Sequence, residues 1–128
     1  MANTITVTER LDGTRKFVIE VQIVGDGSGQ ETATSIIDVS GMSPPANAVA
    51  IQKVYASLDG FSARLLWDAT SDVDACILPE GESGIDFMAI GGPLLNTSGA
   101  GKTGDLLLAT TGLGATGKGQ IRIEGYKK

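Results

Sequence analysis

The sequence predicts an all-β domain, an antiparallel β-sandwich or small β-barrel of jelly-roll type with little or no helix. Three observations carry this. Apolar and polar residues alternate in several short runs, the period of a strand buried on one side. Glycine, proline and aspartate mark turns between those runs at close spacing. No window shows the 3.6-residue period of an amphipathic helix. The 128 residues suit one domain over 1–128, with no repeat and no linker.

Taken in order, Thr4 to Thr8 alternates Ile5 and Val7 with threonines, an edge-strand composition, and residues 1–8 can extend as an N-terminal arm. Leu11-Asp12-Gly13 turns the chain. Phe17, Ile19, Val21 and Ile23 then alternate with Val18, Glu20, Gln22 and Val24 as a half-buried strand. Gly25 to Gln30 is a glycine-rich loop into a strand over Thr32 to Val39, with Ile37 and Val39 inward and Asp38 outward. Ser40 to Asn47 leaves the sheet, because Pro44 and Pro45 have no N–H to donate.

Two strand-like runs meet at Asp59-Gly60 within Ala48 to Asp68, a pair suited to a two-residue hairpin turn. With Leu58 opposite Phe61, Ala56 meets Ala63, Val54 meets Leu65 and Gln52 meets Trp67 on a nearly apolar face. Ser57–Ser62, Tyr55–Arg64 and Lys53–Leu66 fall on the wet face, where a cation–π contact would join Tyr55 to Arg64. Trp67 is therefore expected in the core. Val73 to Leu78 and Ile85 to Ile90 are short apolar strands either side of a turn-rich hinge, Pro79 to Gly84. Gly91 to Gly104 is a loop long enough to point to a partner. Asp105 to Thr110 and Gln120 to Tyr126 close the chain as strands around the bend Gly112 to Gly119.

Composition narrows the function classes. Hydrophobic residues make up 41% and charged residues 20%, as in a folded soluble chain. Ten basic residues scattered among fifteen acids give a net charge of −5, which argues against nucleic acid as a partner. No segment reaches the length of a membrane helix, and MANTITVTERLDG lacks the basic and apolar regions of a signal peptide, so synthesis in a cytoplasm and no membrane partner are expected. The single Cys76, between Ala75 and Ile77, reads as a small buried hydrophobe.

Chemistry-bearing motifs are weak. GAGKT, ending at Thr103, lacks the phosphate-loop glycine at the position of Asn96, and a strand follows where a helix is required, so it reads as a surface loop. Asp68, Asp72, Asp74, Glu80 and Glu82 form the densest acidic stretch without the spacing of a calcium loop, and read as a solvated rim. With no histidine and one cysteine, histidine triads and structural zinc centres are out of reach. No catalytic residue, cofactor or metal ligand is assigned, and an enzyme is not expected.

The opening MANTITVTERLDGTRKFVIEV, the central LDGFSARLLWDATSD, LPEGESGIDF followed by Gly91-Gly92, and the late TGDLLLATTG resemble a family of small virion proteins encoded among the head genes of tailed bacteriophages. The resemblance runs over nearly the whole chain and implies a capsid decoration or cement protein. It would be made in the host bacterial cytoplasm, bind the major capsid protein on the exterior of the virion, and act as a homo-oligomer, with a trimer as one arrangement. Apolar residues outside the expected core are the candidate contacts: Ile5 and Val7 on the arm, Met42, Pro44 and Pro45 in the first loop, Leu94 and Leu95 in the second. A neck or tail component of the virion is the alternative on the same fold. A small carbohydrate-binding module using an exposed aromatic such as Tyr55 is a third.

Overall fold

Every strand pair is antiparallel, and the pairs divide into two sheets packed face to face. The computed structural model describes residues 3–27, 29–42, 49–95 and 104–127. In chain order the strands are β1 (Thr4–Asp12), β2 (Lys16–Val24), β3 (Thr34–Ile37), β4 (Val49–Asp59), β5 (Ser62–Trp67), β6 (Val73–Leu78), β7 (Gly81–Asp86), β8 (Leu106–Thr111) and β9 (Lys118–Lys127). The larger sheet has the order β1-β2-β9-β4-β7 and the smaller β3-β8-β5-β6, so the sequence reading of a sandwich holds.

The core follows from period-two alternation. In the larger sheet Ile19, Ile123, Val54 and Ile85 lie side by side across four strands, as do Val21, Ile121 and Ala56 across three. Ala63, Leu65 and Trp67 of β5 face them from the smaller sheet beside Leu106 and Leu108, and Trp67 is fully enclosed. A bulge between Ile51 and Lys53 lets Ile51 and Val54 both point inward, with Gln52 as the extra residue.

The hairpin expected at Asp59-Gly60 is not formed. β4 pairs with β7 and β9, β5 pairs with β6 and β8, and the turn arches from one sheet to the other. The expected pairs from Leu58–Phe61 to Gln52–Trp67 are thus absent, although the apolar side chains do face the common core. A hairpin turn of type I′ needs positive φ at both central residues, and here Gly60 alone has it, at 86°. Leu58 and Phe61 instead close over Gly119 of β9, where a Cβ would stand 2.7 Å from Leu58 Cδ2 and 2.9 Å from Phe61 Cζ. Leu66, expected on the wet face, is buried with Leu107 and Ala109 in a second small cluster on the opposite side of the smaller sheet.

Four further expectations are corrected. Residues 4–8 form the edge strand their alternation predicts, as part of β1 paired with β2, and so do not extend as an arm; residues 1 and 2 lie outside the described residues. The strand expected over Thr32 to Val39 is shortened to β3, and Val39–Gly41 forms a 3₁₀ turn whose Val39 N–H donates to Asp105 Oδ1 at 3.0 Å. The hinge expected over Pro79 to Gly84 is mostly β7, and the strand expected over Ile85 to Ile90 holds only for Ile85 and Asp86, which end β7 before a second 3₁₀ turn, Phe87–Ala89. Backbone pairing to β4 overrides the low strand propensity of GESG, and the Asp86 carboxylate, accepting from Met88 N–H at 3.1 Å, starts the turn.

The glycine-rich loop after β2 is held through Gln30. Its amide accepts from Leu113 N–H at 2.8 Å and donates to Leu113 O at 2.9 Å, which ties the loop to the bend before β9.

Candidate functional site

The segment from Phe87 to Leu95, FMAIGGPLL, holds three of the eight large hydrophobic residues that are exposed among the described residues, Met88, Ile90 and Leu95. Its backbone is fixed at both ends. Asp86 caps the 3₁₀ turn, Ile90 and Gly92 both donate to Phe87 O, at 3.2 and 2.8 Å, and Gly91 and Gly92 have φ of 137° and 134°. Only glycine enters that region without strain, and it lets the chain double back. Leu94 then exchanges two hydrogen bonds with Ile51 of β4, at 2.8 and 3.0 Å.

Phe87 and Leu94 pack against the core, whereas Met88, Ile90 and Leu95 stay exposed, Ile90 by 72%. Apolar area left in water carries about 25 cal/mol per Å², recovered when a partner covers it. A backbone already held by hydrogen bonds has less entropy to lose on binding. The arrangement can present an apolar knob to another protein surface.

The contact residues named from sequence are scattered by the fold. Leu94 and Leu95 lie in this segment, the first half-buried as an anchor and the second exposed. Val7 is exposed and Ile5 partly buried on β1, in the edge strand at the far side of the larger sheet. Met42 is withdrawn as a contact, because the 3₁₀ turn at Val39–Gly41 folds it into the core at 5% exposure. Pro44 and Pro45 lie outside the described residues, as does GAGKT. Met88 and Ile90 were missed, since a run reading as a strand hides the capping signal in Asp86 followed by Phe-Met-Ala.

The acidic stretch is divided. Asp74 of β6 pairs with Arg64 at 3.1 Å in the smaller sheet, Asp72 accepts from Ala69 N–H at 3.1 Å, and Glu82 sits on β7 of the larger sheet. Among the described residues no three such groups converge as metal ligands. Cys76 is buried and free, and burial raises the pKa of its thiol.

The solvent face of the larger sheet is polar. A bulge between Glu9 and Leu11 leaves Arg10 as an extra residue, and its guanidinium holds Glu20 Oε2 at 2.5 Å. Arg122 lies 3.6 Å from Glu20 Oε1, to which the Gln120 amide also donates. The Arg10 hydrogen bond, reinforced by the charges of both arginines, holds the Glu20 carboxyl below its ordinary value near 4.5. The folded chain therefore takes up this proton less readily than the unfolded one. The stability it contributes is present above about pH 4.5 and is lost as pH falls through the lower native value. Glu20→Gln is expected to lower the melting temperature near pH 7, and the gap from the unmodified protein should narrow as the buffer is taken toward pH 2. A gap that stays constant over that range would remove the linkage.

Tyr55 belongs to this same face. It does not meet Arg64, which lies in the other sheet; its neighbours across the ladder are Gly84 of β7 and Arg122 of β9. The cation–π contact that does form joins Arg15 to Tyr126, with 5.2 Å from guanidinium carbon to ring centroid. No protein-family model and no curated protein matches this chain.

Proposed function

We propose that this protein is a non-enzymatic structural component of a bacteriophage virion, which binds the outside of the assembled capsid as a decoration or cement protein. The observation that carries the reading is the fixed apolar knob at Met88, Ile90 and Leu95, three exposed hydrophobic side chains within one short segment whose backbone is held by hydrogen bonds. Exposed apolar residues grouped in one segment mark a protein-binding surface more often than an isolated one does. The resemblance of the chain to small phage head proteins supplies the identity of the partner, the major capsid protein.

A ligand that binds the assembled shell and not its separated subunits stabilises the shell by mass action. One copy can cover roughly 800 Å², one side of a standard interface. A homo-oligomer, for example a trimer on local threefold positions, gains from several such contacts acting together. The protein is made in the host cytoplasm and ends on the virion exterior.

The test compares DNA release on heating from complete particles, particles lacking this protein, and depleted particles supplied again with purified protein. Depleted particles are expected to release DNA at lower temperature, and re-addition to restore the original curve. Ile90→Asp protein, folded because Ile90 lies on the surface, should restore it poorly. Identical curves for all three particles would overturn the decoration role and favour the neck or tail.

A further inference from the structure

We propose that the solvent face of the larger sheet carries a second binding site, for a neutral glycan, with Tyr55 as its stacking platform. The site is distinct from the apolar knob and does not depend on the capsid reading.

The sequence places a tyrosine and a glycine opposite each other on β4 and β7. A Cβ on Gly84 would stand 3.3 Å from Tyr55 Cδ2, so one edge of the ring rests on bare backbone, while the hydroxyl lies 3.4 Å from Glu82 Oε1. The ring is thereby held in place, yet Tyr55 remains 52% exposed. An aromatic held by its edge and open to solvent offers a rigid apolar surface at little entropy cost.

A depression of about 490 Å³ opens beside it, with Lys53, Asp86, Arg122 and Glu124 in its wall. Lys53 is the ladder neighbour of both Asp86 and Glu124, but no ion pair within 4.0 Å joins it to either. Asp86 spends Oδ1 on the Met88 N–H. Donors on Lys53 and acceptors on Asp86 and Glu124 therefore line the depression beside the ring with bonding capacity to spare, and Arg122, though 3.6 Å from Glu20, keeps further N–H groups.

The wall carries two positive and two negative groups, with Glu82 at the ring hydroxyl and Glu20 beside Arg122 as further carboxylates, which disfavours a phosphate or a sulfate and suits a neutral ligand that both donates and accepts. A sugar ring matches this chemistry, with a C–H face for Tyr55 and hydroxyls for the surrounding charges. The volume lies in the range of small-ligand sites. Nucleic acid also stacks on aromatics, but its backbone would meet a protein of net charge −5.

The experiment measures binding of the purified protein to immobilised dextran, mannan and laminarin, with heparin as the anionic control. Saturable retention on at least one neutral polysaccharide is expected. It should weaken by about tenfold or more in Tyr55→Ala, as for loss of one stacking contact. Glu124→Ala should weaken it several-fold, and Ile90→Asp should leave it unchanged, which separates this site from the capsid contact. If Tyr55→Ala fails to fold, NMR titration of the unmodified protein with laminarihexaose, maltohexaose and mannohexaose takes its place, and one of them should shift the Tyr55 and Gly84 amides. The proposal is overturned by no retention on any neutral polysaccharide, by retention on heparin alone, by undiminished retention of a folded Tyr55→Ala, or by amide shifts confined to other strands.

Discussion

Replacing Gly125 with alanine is expected to destabilise the protein by about 3 kcal/mol or more, at the upper end for an overpacked core. Gly125 sits in β9 opposite Phe17 of β2 and Ile51 of β4. A Cβ there would stand 2.2 Å from Ala50 O and 2.9 Å from Phe17 Cζ. The Phe17 ring could swing away only into a filled core, and the Ala50 oxygen is backbone, so relief means pulling β4 from β9 at the centre of the larger sheet. A domain of ordinary stability has about 5–15 kcal/mol in total, so the variant should unfold at a much lower urea concentration with a similar slope. Gly114→Ala is the control. Nothing lies within 4 Å of its Cβ position, and its midpoint should stay within the equivalent of about 0.5 kcal/mol. Equal midpoints for the two variants would show that the Gly125 site relaxes far more easily than its geometry implies.

Trp67→Ala should cost about 3–5 kcal/mol, since it removes the largest enclosed side chain and the core can close over the space only in part. Trp67 ends β5 between Val73 of β6 and Leu106 of β8, so the cavity would open where three strands of the smaller sheet meet the larger one. Trp67→Phe, which keeps a ring in the space, should lose markedly less. Trp67 is the chain's one tryptophan, so its fluorescence reports on the core of the unmodified protein; that signal and far-ultraviolet circular dichroism should give coincident unfolding curves. A loss near zero in Trp67→Ala would place this ring outside the energetic core.

The places where sequence and structure part have specific physical causes. Asp59-Gly60 marks a turn, and Gly60 does take positive φ, but a turn signal does not say whether the next strand pairs with the last or crosses to the facing sheet. The contact residues divide in the same way. Leu95 is exposed as an apolar residue in a loop suggests, whereas Met42, in an equally irregular stretch, is drawn inward by the turn before it. Met88 and Ile90 read as strand because apolar residues are assumed buried, and a single capping aspartate decides otherwise. The Tyr55 platform needs Gly84, twenty-nine positions away, to arrive beside it through strand pairing.

Alternation along each run is enough to say which side chains turn inward: Phe17, Ile19, Val21 and Ile23, or Ala63, Leu65 and Trp67, would face an apolar core in almost any β architecture. A period of two belongs to the strand itself and needs no partner. The identity of the partner is another matter, because every strand offers the same ladder of N–H and C=O groups. Pairing is selected by side-chain fit between strands distant in sequence, such as Phe17 over Gly125 and Leu58 with Phe61 over Gly119. Those fits exist only once strands distant in sequence have come together, and the assembled tertiary structure also decides the crossing at Gly60, the burial of Met42 and the exposed knob at Ile90.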